Sequence, residues 1–446
     1  MTDRQGKKPE KKHLLLSESG VRPDTGKAKK QDGCIDAEAS PEDKSIRESG
    51  FSEEALEQMD KADALGATIL RVDDMEKIAD PDAVRDAIRE TVEALCRESG
   101  GYCRMSAAEA FVCLLPGADE KQCTDFVQAA QNRITRLGDE TISAGIAVYP
   151  TLSFEKADIF ENAKKALAHA AFFGADSTVC FDAVSLNISG DAFYQAGNID
   201  GAMAEYELAL KMDPDNVNVY NSMGVCHGER GDYDRALSSF AKAVTLDPED
   251  VFAIYNAGYI HMQRQEYEAA LEYFRQALTI DDTIFELLFQ TGRALYELGR
   301  HEEALYHIRS AISKSEAPGG IVYRYQGDCL LAAGDTGEAG RAYNAAVKLR
   351  PDDAHCLSAL AHCYESEGRN AEIALVFGQN AVEIEPDNGL FHHRLALMYL
   401  NRNRIEEALD HFEIAMECGY SEAGPYVEST RALLTETDAK ENAAGS

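Results

Sequence analysis

"GVCHGERGDYDRALSSFAKAVTLDP", Gly224 to Pro248, reads as two helices joined by a short turn. Gly224 lies near the middle of the first helix and Ala236 near the start of the second, so the two can approach closely. Phe240 fills the space beside them, and Pro248 ends the second helix. The same residues return on either side. Gly190, Gly224, Gly258 and Gly292 step by 34, as do Ala202, Ala236, Ala270 and Ala304. Ala209, Ala243, Ala277 and Ala311 keep that step, as do Tyr206, Phe240, Phe274 and Ile308. With one-residue slips it continues through Gly327, Ala339, Tyr343 and Pro351, then Ala374, Ala381 and Pro386, then Ala408, Phe412 and Ala415.

A 34-residue step with small residues at fixed sites resembles the tetratricopeptide repeat family, in seven units over 183–418. The resemblance implies an all-α superhelical solenoid. No unit buries its apolar face alone, so neighbours must stack. Residues 419–446 then supply a closing helix, "SEAGPYVESTRALLTET", and a tail.

Composition sets the outer limits. The chain has 446 residues, enough for two or three domains, and its apolar fraction of 45% is that of a globular protein. No apolar run approaches the roughly 18 residues of a membrane span, and Leu14–Leu16 is too short for an export signal, so the protein is expected to be cytoplasmic. A net charge of −34 repels nucleic acid and anionic lipid, so neither is expected as a partner. Residues 1–50 are polar, with nine Lys/Arg against four Asp/Glu in the first thirty, and are expected to form a disordered basic tail. The eleven cysteines make no CxxC pair and are expected to be reduced core residues. Cys356 and Cys363 share a helical face beside His355 and His362; helix packing explains them better than a metal site, and no metal is expected.

Ahead of the repeats the pattern mixes strands and helices. A lead-in helix occupies 51–65, with Ser52 as its N-cap. Over 66–182 the order is β-α-β-β-α-β-α-β, from "ATILRV" to "STVCF". Its second element is a helix capped by Asp80, with Pro81 in the first turn. That order predicts an α+β, ferredoxin-like domain with one extra helix–strand unit.

Three segments of this region resemble the GGDEF domain of bacterial diguanylate cyclases. "TISAGIAVY" is similar to that family's late strand, and "AKKALAHAAFFGAD" to the helix that follows it, at Ala163, Ala166, Leu167, Ala170 and Gly174. "AAEAFVCLLP" falls where the family has its signature hairpin and a buried strand. The resemblance implies two Mg²⁺ ions, held by carboxylates, that activate a ribose hydroxyl against a GTP phosphate. The residues here depart from that. The hairpin glycines become Ala107 and Ala108, whose Cβ atoms obstruct a nucleotide, and the metal-binding acid becomes Ala110, with Glu109 before it. Arg71 replaces the first-strand aspartate and would repel a cation. The base-contacting asparagine falls on Ala79, and the late helix's Asp and Lys fall on Lys164 and Ala171. No R-x-x-D inhibitory site precedes the hairpin. The domain is therefore expected to lack cyclase chemistry, a catalytic residue and a cofactor. Asp73, Asp74 and Glu109 remain as carboxylates, read as solvated or capping groups.

Function is then expected on the repeats, whose first helices line a concave surface. Facing positions are polar in the first two units (Asn187, Asp191, Asn218, Asn221). They turn aromatic in the third and fourth, with Phe252, Tyr255, Tyr259, Met262, Phe289, Arg293 and Tyr296. In the fifth to seventh they are Arg324, His355, His362 and His393. Aromatics and Arg carry much binding energy, and Met packs adaptably; rings packed between repeats are the plainer alternative. The clamp with which chaperone-binding members of the family grip a C-terminal carboxylate is not at its usual positions. The expected function is a non-enzymatic adaptor binding a partner peptide or helix. The alternative is a sensor that binds a nucleotide or cyclic dinucleotide through the GGDEF-like domain without turnover.

Overall fold

The computed structural model describes residues 51–75, 81–106 and 110–444, with side chains as far as 435. Residues 1–50, Ala79, Asp80, Ala107, Ala108 and Glu109 lie outside the described residues. The chain divides into two compact units, Met1–Ile260 and His261–Ser446.

In the first unit, Ser52 Oγ accepts from Ala55 N at 3.2 Å and caps α1 (Glu53–Lys61). There follow β1 (Leu65–Val72), α2 (Pro81–Glu98), β2 (Tyr102–Met105), β3 (Phe111–Pro116), α3 (Glu120–Ile134), β4 (Ile142–Tyr149), α4 (Ile159–Ala170) and β5 (Thr178–Cys180). The strands form one mixed sheet, ordered β2-β3-β1-β4-β5. The β2/β3, β1/β3 and β1/β4 pairs are antiparallel and β4/β5 is parallel. β1 is apolar on both sides because both faces are covered. Leu70 and Val72 join Ile88 and Val92 of α2 and Phe126 and Val127 of α3. Ala67 and Ile69 join Met59 of α1 and Ala163 and Leu167 of α4. Helix α4 lies so close to β4 that a Cβ on Gly145 would fall 2.1 Å from the Ala163 carbonyl oxygen.

The same unit continues into α5 (Ala183–Gln195), α6 (Ile199–Met212), α7 (Val217–Glu229) and α8 (Tyr233–Leu246), and α9 (Val251–Gln263) begins in it. The α+β region is tied to this helical part. Helix α4 packs on α5, and Lys165 Nζ pairs with Glu205 Oε1 at 2.8 Å, both largely shielded from solvent. His169 Nδ1 lies 3.2 Å from Ser185 Oγ.

The second unit holds α10 (Tyr267–Ile280), α11 (Phe285–Glu297), α12 (His301–Lys314), α13 (Gly320–Ala332), α14 (Thr336–Leu349), α15 (Ala354–Ser366), α16 (Ala371–Ile384), α17 (Gly389–Asn401), α18 (Ile405–Glu417) and α19 (Gly424–Ala444). α19 lies on α18: Tyr426 stacks on Phe412 at 5.2 Å and Val427 enters the same apolar cluster.

The repeat signature has a direct packing cause. A Cβ on Gly190, Gly224 or Gly327 would come within 2.4, 2.4 or 2.6 Å of the ring of Tyr206, Phe240 or Tyr343. Each helix pair also turns through a residue of positive φ: Gly197, Gly231, Gln265, Gly299, Gly334, Gly368 and Asn403, with Asn370 a second one in the sixth pair. Five are glycine because that conformation costs an ordinary side chain about 1 kcal/mol or more.

Candidate functional site

The end of β1, where the GGDEF resemblance leads one to look for a metal site, holds a structural carboxylate. Asp73 accepts from Thr141 Oγ1, Ser143 Oγ and Asp176 N, each at 2.8 Å. Its lone pairs bind the end of β1 to β4 and to the segment before β5. Arg71 stands on β1 opposite Ser143 of β4. Ala110 is buried; its N–H donates to Ser106 Oγ, and Ser106 N–H donates to its carbonyl. Lys164 lies on α4 and Ala171 in the tight turn that follows it.

On the first-helix faces of the first unit, Asn187 and Asn221 are buried and Asn256 Nδ2 donates to Asn221 Oδ1 at 2.9 Å. Asp191 accepts from Tyr206 Oη at 2.7 Å and from Ser222 Oγ at 3.4 Å. Burial outweighs those bonds and raises its pKa from 3.8 to about 7. Tyr255 and Tyr259 stack at 6.3 Å and are only 2% and 4% exposed. Phe252 stays partly open, its N–H donating to Asp250 Oδ1.

In the second unit Met262 and Phe289 are 8% and 7% exposed. The expectation of an open, ring-lined trough is thus corrected for Tyr255, Tyr259, Met262 and Phe289, which are core side chains. Stacked repeats bury these wide faces, and a solvated ring there would waste apolar area. Partly open are Arg293, Tyr296, Arg324 and His362. Around them sits Tyr325, which sequence reading missed. Its ring meets Phe289 and Tyr296 edge-on at 5.8 and 5.5 Å, with Arg293 and Arg324 over it at 5.2 and 5.4 Å.

Asp328, also missed, organises the next layer. It accepts from Tyr343 Oη at 2.7 Å, lies 2.7 Å from His355 Nε2 and 3.9 Å from Arg324 Nε. Arg394 on α17 reaches Ser358 Oγ on α15 at 3.2 Å and makes no ion pair among the described residues. Burial lowers its pKa. His362 is lowered as well, by burial first and then by the charges of Arg394 and His393. His393 is 8% exposed, among Phe412, Tyr420 and Tyr426, and its Nδ1 has no hydrogen-bond partner among the described residues. Arg394 follows His393 by one position, so the stripe of facing positions points to its neighbour; only the rotation of α17 brings the guanidinium to Ser358. Cys356 and Cys363 are buried in an apolar cluster with Leu330, Leu360 and Tyr343. No group of three or more His, Cys, Asp or Glu among the described residues is arranged to hold a metal ion, and no helix among them is long and apolar enough to cross a membrane.

Two family models match the chain: one described as TPR repeat over 190–229, the other as tetratricopeptide repeat over 227–283, 289–354 and 325–377. Tetratricopeptide repeats therefore build this part of the protein, and such arrays are generally scaffolds for protein interaction. No curated protein matches the chain in sequence. Solved structures similar to it include YrrB, described as a TPR protein with an unusual peptide-binding site, at 19% identity and TM-score 0.39 over 43% of this chain and 99% of that one. PilF of Pseudomonas aeruginosa is 16% identical, with TM-score 0.43 over 47% and 94%. A tetratricopeptide repeat protein of Parabacteroides merdae is 18% identical, with TM-score 0.39 over 56% and 98%.

Proposed function

We propose that this chain is a non-enzymatic adaptor whose repeats hold an acidic segment of a partner protein against the first helices of the second unit. The observation that carries this reading is Arg394. In a chain of net charge −34, a half-buried guanidinium hydrogen-bonded to a serine hydroxyl has no carboxylate in direct contact among the described residues, and Asp328 acts on it only through space. A partner carboxylate would supply that contact, as a charge-assisted bond worth more than the one to Ser358. Arg293, Tyr296 and Arg324 would take the flanking residues of the segment.

The α+β region, in this reading, is a GGDEF-like, ferredoxin-like domain without cyclase chemistry, serving as a cap on the first repeat. Support comes from the three hydrogen bonds that commit Asp73 to the sheet, the arginine at position 71, and the shielded Lys165–Glu205 pair.

Fluorescence anisotropy with a labelled oligoglutamate peptide tests the docking. Binding to the full chain should weaken tenfold or more in Arg394→Ala and several-fold in Arg324→Ala, and should fall as salt rises. Equal affinity in wild type and Arg394→Ala would sink this assignment.

A further inference from the structure

Cys96, Cys103 and Cys113 meet in the α+β region, away from the repeats. The β2/β3 register sets Cys103 directly opposite Cys113. Ser106 N–H donates to the Ala110 carbonyl, so that pair is hydrogen-bonded. Bonded and non-bonded pairs alternate along an antiparallel ladder, which makes Cys103/Cys113 a non-bonded pair, the kind whose side chains lie closest. Their sulfurs are 3.5 Å apart. Backbone separation at such a pair lies within the range that a disulfide spans. Cys96, on α2, packs in the same apolar cluster as Cys113 and Cys103. Cys96 and Cys113 are 1% and 0% exposed, while Cys103 is partly open on the edge strand of the sheet.

We propose that Cys103 and Cys113 form an oxidative modification site, a dithiol that closes across β2 and β3 when hydrogen peroxide reaches Cys103. The Cys103 thiolate attacks one peroxide oxygen. An S–O bond forms, the O–O bond breaks, and the leaving hydroxide takes a proton to become water. The Cys113 sulfur, losing its proton, then attacks the sulfenic sulfur. The S–S bond forms, the S–O bond breaks, and a second water leaves. Two electrons pass from the sulfurs to the peroxide, and a cellular thiol reverses the change. The hydrogen bond from Cys113 is the largest influence holding Cys103 well below the usual thiol range; the neighbouring Cys96 thiol and the charge of Arg104 add to it. Cys113 is shifted upward, so the open sulfur is the nucleophile and the buried one the partner.

The test uses the full chain, treated with hydrogen peroxide, alkylated and digested with trypsin. Cleavage after Arg97, Arg104 and Lys121 puts the three cysteines on separate peptides. The expected product is peptide 98–104 linked to 105–121, released by a thiol reductant, with Cys96 alkylated. In Cys113→Ala, dimedone should label Cys103 under peroxide. The proposal falls if Cys103 and Cys113 both still alkylate after peroxide, if Cys103 bridges to Cys96 instead, or if Cys113→Ala yields no dimedone adduct.

Discussion

In the first repeat Tyr206 donates its hydroxyl to Asp191 at 2.7 Å; in the fifth, Tyr343 donates to Asp328 at the same distance. Both aspartates follow the glycine on which the ring packs. Where that side chain is Phe240, Phe274 or the aliphatic Ile308, the residue after the glycine is Val225, Tyr259 or Arg293. A buried phenol needs an acceptor and a phenyl ring does not, so the two positions change together. The surroundings differ. Asp191 has Ser222 and no ion pair among the described residues, and its proton is held to about pH 7. Asp328 has His355 at 2.7 Å and Arg324 at 3.9 Å. The repeat places the Tyr–Asp pair, and the neighbouring repeat decides what else meets the carboxylate, Ser222 in one case and His355 in the other.

The largest expected effect is on pH dependence. Between pH 3.8 and about 7 the native state keeps the Asp191 proton that the unfolded chain has released. Stability of the first repeat therefore falls as pH rises through that window, by roughly 2–4 kcal/mol, and is flat on either side. Amide hydrogen exchange across α5 and α6 should show the slope, and Asp191→Asn should abolish it, protecting better than wild type above pH 7. A slope that survives the substitution would break the comparison on this side.

Next, Asp328→Asn should destabilise the fifth repeat by about 2–3 kcal/mol at pH 7, because the amide removes the charge that His355 and Arg324 meet and replaces one acceptor oxygen by a donor. Exchange across α13 and α14 reads this. Gly190→Ala and Gly327→Ala should each cost about 1–3 kcal/mol, nearly equally, since both drive a methyl into the same face of a tyrosine; urea unfolding of the two variants measures it. The smallest effect sharpens the contrast. Tyr343→Phe should cost about 1 kcal/mol, less than Tyr206→Phe, because His355 still serves Asp328. The reverse order in thermal unfolding would show that the imidazole is not an effective substitute.

Much of the architecture was readable because it depends on sterics that act within about 35 residues. The 34-residue step predicted a glycine beside a large apolar side chain in the first repeats, and Gly190–Tyr206, Gly224–Phe240 and Gly327–Tyr343 are such contacts. Alternation of apolar runs predicted the strand and helix order of the α+β region. The candidate site was only partly readable. Periodicity places Tyr255, Tyr259 and Phe289 on the facing stripe but cannot tell a ring that lines a surface from one that the next helix covers. It places His393 on that stripe and passes over Arg394, one residue further. For Asp73 the sequence offered a free carboxylate, whereas Thr141, Ser143 and Asp176, some 70 to 100 residues away, use it fully.

The amino-acid sequence alone determined the repeat, its period and the helix pairing, because each follows from residue size at short separation. Only the tertiary structure decided which rings are core, which guanidinium makes no ion pair among the described residues, which aspartate keeps its proton, and that three scattered cysteines meet. Those outcomes rest on burial and on distances between side chains far apart in the chain, and neither quantity exists until helices and strands have stacked.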